Sequence, residues 1–119
     1  MITHIDHVVL FVEDMDEAIA FYTNKLELEL AYQSKEYSEI KTGGQTTIGL
    51  HLADNVIGHG SGGATTQVSF AVDDIKAVRE LLHDRGVKIS RQIEEIAPGR
   101  FMFNFIDPYG NQLSCFEST

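Results

Sequence analysis

The chain has 119 residues, 43% hydrophobic and 23% charged, the length and composition of a single compact domain. Nine basic against eighteen acidic residues give a formal net charge of −9, a surface that repels nucleic-acid phosphates and anionic lipid heads. No apolar run approaches the ~20 residues that span a membrane, the opening Met1-Ile2-Thr3-His4 has no basic stretch followed by an apolar core, and lone Cys115 has no partner for an internal disulfide. A cytoplasmic protein is expected, with neither nucleic acid nor membrane as partner. The acidity is uneven: residues 1–57 carry three basic and ten acidic residues (net −7), residues 58–119 six and eight (net −2).

The first predicted element is a strand over His7–Val12, β-branched and apolar with acidic residues at both ends. A helix follows, because Met15, Ile19, Tyr22 and Leu26 recur at i, i+4, i+7 and i+11. Asp14 with Glu17 three residues on resembles a capping box at its start. Three strand-like stretches come next, Leu28–Gln33, Tyr37–Thr42 and Thr46–Ala53, with Gly43-Gly44 as the turn between the last two. Gly58-His59-Gly60-Ser61-Gly62-Gly63 reads as a flexible joint.

The order then repeats. A strand over Val68–Val72 leads into a helix striped by Ile75, Val78 and Leu82 and stopped at Gly86. Strands over Val87–Glu94, Arg100–Ile106 and Gln112–Glu117 follow, the last two joined by Asp107-Pro108-Tyr109-Gly110. Laid over each other at an offset of 60 residues, Asp6–Met15 and Thr66–Ile75 match Val8 with Val68, Val12 with Val72 and Asp14 with Asp74. One domain is therefore expected, made of two modules, 1–57 and 64–119, joined by a glycine-rich linker at 58–63.

The duplicated βαβββ order, the opening Ile5-Asp6-His7-Val8-Val9-Leu10-Phe11-Val12-Glu13-Asp14, the helical Ala20-Phe21-Tyr22 and the closing Phe105-Ile106-Asp107-Pro108-Tyr109-Gly110-Asn111-Gln112-Leu113 resemble the vicinal oxygen chelate superfamily. That superfamily includes glyoxalase I, bleomycin-resistance proteins, extradiol dioxygenases and fosfomycin-resistance enzymes. The resemblance implies an α+β fold in which two tandem βαβββ modules form an eight-stranded cup with helices outside. It differs at Glu27, where the family has a glycine after the first helix, so that helix is expected to end differently.

In the family's metal enzymes each module supplies one ligand from the start of its first strand and one from its last strand. The resemblance carries these positions onto His7, His51, Gln67 and Ser114. Two imidazoles and an amide oxygen suit Zn, Fe, Ni or Co. Ser114, however, stands where those enzymes carry Glu. A His/His/Gln/Ser set brings no negative charge to a divalent ion and leaves no ligating carboxylate as general base. The favoured expectation is thus a metal-independent small-molecule-binding protein, with His7 and His51 as polar pocket groups and no cofactor.

Val9 and Phe11 share a strand face with His7, and Gln112 and Phe116 share one with Ser114, which suits an aromatic or cationic ligand. Arg100 is either solvated or paired with an anionic group of the ligand. Phe101, Phe103 and Phe105 share one face, which alternation alone does not identify, and Cys115 reads as a buried small apolar residue. His4, His59 and His83 fall at the terminus, the joint and an exposed helix face. The resemblance to the bleomycin-resistance branch implies a homodimer with its ligand in the cup or at the subunit interface. The alternative is a metal-dependent lyase, isomerase or dioxygenase using His7 and His51, its missing ligand supplied by water, substrate, Glu39 or Glu117.

Overall fold

The computed structural model describes residues 5–53 and 68–118, which form two compact units. The expected joint at 58–63 and Gln67 lie outside the described residues. Each unit is a four-stranded mixed sheet with a helix on one face, so the fold is α+β as expected.

In the first unit β1 (His7–Val12) leads through α1 (Met15–Ala20) to β2 (Glu29–Tyr32), β3 (Tyr37–Lys41) and β4 (Thr47–Leu52). The sheet order is β1-β4-β3-β2, with β1 parallel to β4 and the other pairs antiparallel. A helical crossover is what a parallel neighbour requires, and the two antiparallel hairpins then close the sheet. Leu10, Val12, Ile40, Ile48 and Leu50 are buried on the face that receives α1, against Met15, Ala18, Phe21 and Tyr22. The apolar stripe foreseen for this helix is thus its core face, widened by Ala18 and Phe21.

Asp14 caps α1, its Oδ1 accepting from the Glu17 N–H at 3.0 Å. The helix end departs from expectation in one respect and keeps to the family pattern in another. Residues Phe21–Lys25 form a π turn, where the Leu26 N–H reaches back five residues to the Phe21 carbonyl. The Thr23 hydroxyl donates to the Ile19 carbonyl at 2.7 Å and competes for the helical acceptor there. Glu27 nonetheless adopts the left-handed conformation that glycine would take (φ 59°), at a cost of about 1 kcal/mol.

The second unit has the same plan: β5 (Val68–Ala71), α2 (Ile75–Asp84), β6 (Lys88–Ala97), β7 (Arg100–Ile106) and β8 (Gln112–Ser118), in the order β5-β8-β7-β6. Asp74 caps α2 through the Ala77 N–H, the counterpart of Asp14 at the same 60-residue offset found in the sequence. Gly86 (φ 79°) ends the helix region as the sequence indicates. Ile75, Leu82, Phe103, Phe105, Leu113 and Cys115 are buried together on the helix-bearing face. Strand ends otherwise differ from expectation by a residue or so, except that β6 runs on to Ala97 with register shifts along its pairing to β7. Those bulges suit an edge strand.

The turn between β7 and β8 is built around one buried carboxylate. Asp107 Oδ1 accepts from the backbone N–H groups of Tyr109 (2.9 Å) and Asn111 (2.8 Å), and its Oδ2 from the Asn111 side-chain amide (2.7 Å). Gly110 supplies the positive φ of 83° that closes the turn. Replacing Asp107 by Ala strands three donors and is expected to lower the free energy of unfolding by about 2–4 kcal/mol, measured by urea denaturation.

Burial pushes the Cys115 thiol up to about 12. An unfolded thiol ionises near its ordinary value of 9.0 while the folded one stays protonated, so above that pH the unfolded state binds fewer protons. Stability is expected to fall as pH rises from about 9 towards 12. Cys115→Ala should flatten that slope in urea unfolding followed across the alkaline range.

Candidate functional site

Cross-strand partners share a face, so the register of the first sheet lays out its open face, the one turned away from α1. One row is Phe11–His51–Tyr37, the next is Val9–Gly49–Glu39, and His7 lies beside Thr47. This face is half-buried. Phe11 packs against His51 with ring centroids 5.5 Å apart, and Tyr37 meets both His51 (6.2 Å) and His7 (6.4 Å) edge-on. The two histidines are therefore held on either side of one phenol ring.

Tyr37 owes its position to two local features. The preceding turn is tied by Ser34, whose hydroxyl accepts from the Tyr37 N–H at 3.1 Å and whose own N–H donates to the Tyr37 carbonyl. Gly49 then leaves room for the ring: a Cβ there would stand 2.5 Å from the Tyr37 Oη. The hydroxyl donates to Glu39 Oε2 at 2.8 Å. Burial first, and then the Glu39 carboxylate, push the phenol up to about 12, so it remains a neutral donor at working pH.

Both imidazoles have one nitrogen fixed. His7 Nδ1 lies 2.9 Å from Asp6 Oδ2 and His51 Nδ1 lies 2.8 Å from the Leu52 carbonyl. Both partners are acceptors, so Nδ1 carries the hydrogen in each ring and Nε2 is the basic nitrogen of the neutral form. The Thr47 hydroxyl, beside His7, is buried with no hydrogen-bond partner.

In the second sheet the open face carries Ser69–Ser114–Asn104 in one row and Ala71–Phe116–Met102 in the next, with Arg100 one step further along β7. Ser114 is fully buried and its Oγ has no partner. Arg100 lies over the Phe116 ring, 5.0 Å from its centroid, a cation–π contact. Phe103 and Phe105 are on the opposite face, in the core, which fixes the side that alternation left open. Cys115 is there as well, and His83 is exposed on α2. Glu117 also points to the helix side: its Oε1 accepts from the Ile75 N–H at 2.7 Å, at the start of α2.

The register separates two positions that the sequence pattern treats as equivalent. Val9 and Ser69 correspond at the 60-residue offset; Val9 pairs with Gly49, and Ser69 with Ser114. The counterpart of Ser114 in the first module is therefore Gly49. His51 pairs with Phe11 and corresponds to Phe116, which pairs with Ala71.

These residues do not fit a resident divalent metal. The strand-four position level with Ser114 is a glycine covered by a tyrosine ring, and its counterpart in the second sheet is a neutral hydroxyl. His51 lies four residues beyond the neighbour of His7, a rise of roughly 13 Å along the strands. Among the described residues no three His, Cys, Asp or Glu side chains come together as a metal would need. Glu39 is committed to Tyr37 and Glu117 to the α2 terminus.

Tyr37 is the site residue the sequence did not single out. Its alternation with Glu39 on β3 was a visible signal, but its contact with both histidines depends on Gly49 on the neighbouring strand β4. A cleft of about 470 Å³ opens elsewhere in the first module, lined by Asp16, Gln33, Lys35 and Leu52 among others, and shares none of these open-face residues. No helix among the described residues is long and apolar enough to cross a membrane.

Similarity to known proteins agrees with this architecture. A solved glyoxalase/bleomycin resistance protein/dioxygenase superfamily member from Sphaerobacter thermophilus superposes with a TM-score of 0.86 at 25% identity, over 98% of each chain. An antibiotic-binding protein from a Streptomyces species superposes with a TM-score of 0.80 at 22% identity, over 99% of this chain and 98% of that one. A lactoylglutathione lyase from Agrobacterium tumefaciens gives 0.79 at 22% identity, over 98% and 94%. At such identities the last two establish shared fold alone. The family model for the Glyoxalase/Bleomycin resistance protein/Dioxygenase superfamily matches residues 4–114, so the chain belongs to that superfamily.

Proposed function

We propose that the protein is a metal-independent small-molecule-binding member of its superfamily, which holds an aromatic or cationic ligand on the open face of its first sheet. The observation that carries this reading is the aromatic array Phe11, His51, Tyr37 and His7, assembled around Gly49 where a metal enzyme would need a ligating side chain. Flat half-buried rings with a few oriented polar groups suit planar ligands. Val9 adds apolar surface, and the unpartnered Thr47 hydroxyl offers a hydrogen bond. In the second module Ser114, Phe116 and Arg100 belong to the proposed ligand-binding set, with the buried Ser114 Oγ as the polar contact. Gln67 completes that set from the sequence. An antibiotic-binding protein among the structural neighbours lends this reading a precedent on the same fold. We further propose a cytoplasmic homodimer.

A second reading, a metal-dependent lyase, isomerase or dioxygenase, draws on one feature. Both histidines have Nδ1 held by an acceptor, the arrangement that orients imidazole ligands in metal sites.

Elemental analysis and thermal denaturation separate the two. Purified protein is expected to carry no stoichiometric Zn, Fe, Ni or Co, and its Tm should not rise when any of the four is added. Fused-ring aromatic antibiotics, screened by thermal shift, should include a ligand that stabilises the protein by about 2.7 kcal/mol at a hundredfold excess over Kd. Phe11→Ala and Tyr37→Ala should abolish that shift. Stoichiometric metal that disappears in a His7→Ala/His51→Ala variant would overturn the binding-protein reading in favour of the enzyme.

A further inference from the structure

Arg100 is an exposed cation on the open face of the second sheet. Its guanidinium lies 5.0 Å over the Phe116 ring and makes no hydrogen bond or ion pair among the described residues. A ring attracts the charge but supplies no oxygen to the five N–H donors of the fork. The carboxylates of the neighbouring strand positions are committed elsewhere. Glu94 is paired with Arg91 at 2.7 Å, Glu95 accepts from the Gly99 N–H at 3.0 Å, and Glu117 accepts from the Ile75 N–H. On the same face Ser114 is fully buried and its Oγ has no partner, which costs the free protein stability. The guanidinium and the hydroxyl thus lack the same thing, an acceptor oxygen.

We infer that the open face of the second sheet binds a small molecule carrying a carboxylate on a planar body, with Arg100 holding the carboxylate and Ser114 donating to an oxygen at the other end. This rests on the proposal that Ser114, Phe116 and Arg100 belong to the ligand-binding set, and it adds the charge of the group they select. The register suits one ligand touching both. Phe116 and Met102 form the row between Arg100 and Ser114, and the guanidinium already reaches over the Phe116 ring. Ser114 lies two residues from Phe116 on β8, a rise of roughly 7 Å, which a single aromatic ring with a substituent at each end spans. A carboxylate matches the planar fork with two parallel hydrogen bonds, and Met102 gives the body apolar surface to lie on.

The test is ¹H–¹⁵N NMR titration of the whole chain with 4-hydroxybenzoate and 4-hydroxybenzamide, two probes of one shape that differ in charge. The carboxylate is expected to bind about fivefold more tightly than the amide, with shifts at Met102, Ser114 and Phe116, and its advantage should shrink as salt is raised. Arg100→Gln keeps a donor without the charge and should erase the preference. Arg100→Lys keeps the charge without the fork and should retain part of it. Ser114→Ala should weaken both probes alike without lowering the Tm, since the hydroxyl has no partner to lose in the free protein. Equal affinity for the two probes, a preference that survives in Arg100→Gln, or binding unchanged in Ser114→Ala overturns the inference while leaving a small-molecule face in place. Absence of shifts at these residues with either probe overturns both the inference and the ligand-binding set it rests on.

Discussion

The parallel pairing of β1 with β4 is the constraint on which the rest of the first module depends. It sets His7 beside Thr47, Val9 beside Gly49 and Phe11 beside His51, and the antiparallel pairing of β3 carries those rows on to Glu39 and Tyr37. Because side chains alternate between faces, one register decision places Leu10, Val12, Ile48 and Leu50 under the helix and His7, Phe11, Tyr37, Glu39, Thr47 and His51 on the other side. The buried half of that decision holds it in place. Slipping β4 by a single residue would put Ile48 and Leu50 into the open face and His51 into the core.

What the sequence made legible follows from that physics. Strand alternation, the helix stripes and the turn chemistry at Asp107 and Gly110 are local, and each was readable from a few neighbouring residues. The duplication was readable as well, since Asp14 and Asp74 fall at one offset and both cap helices. Register was not. A period of two residues says which face a side chain occupies but not how far along the strand it meets its neighbour. Gly49 and His51 satisfy the alternation equally, and only pairing to β1 assigns Gly49 to the level of Ser114. Tyr37 was hidden for the same reason: its role arises from a missing Cβ on another strand.

Glycine at position 49 also explains why two features of the open face go together. A side chain there would be the natural second donor for a cation held by His7, and it would also exclude the Tyr37 ring. The face can therefore carry a ligating group or an aromatic wall at that level, not both. With the wall present, Glu39 is drawn to the phenol hydroxyl and the two histidines become edge partners of the ring. The charge that remains is negative and shielded from water on one side by carbon.

The second module shows how the same backbone plan accommodates a different surface. At the level where the first sheet has Gly49, the second has the buried Ser114 hydroxyl, and where the first has His51 against Phe11, the second has Phe116 under Arg100. Equivalent positions thus carry an aromatic row beside the Glu39 carboxylate in one module and a ring covered by a guanidinium in the other. Arg100 covers its ring within the module, whereas the rings of the first module meet imidazoles. The asymmetry matches the charge distribution of the chain, net −7 in residues 1–57 and −2 in residues 58–119.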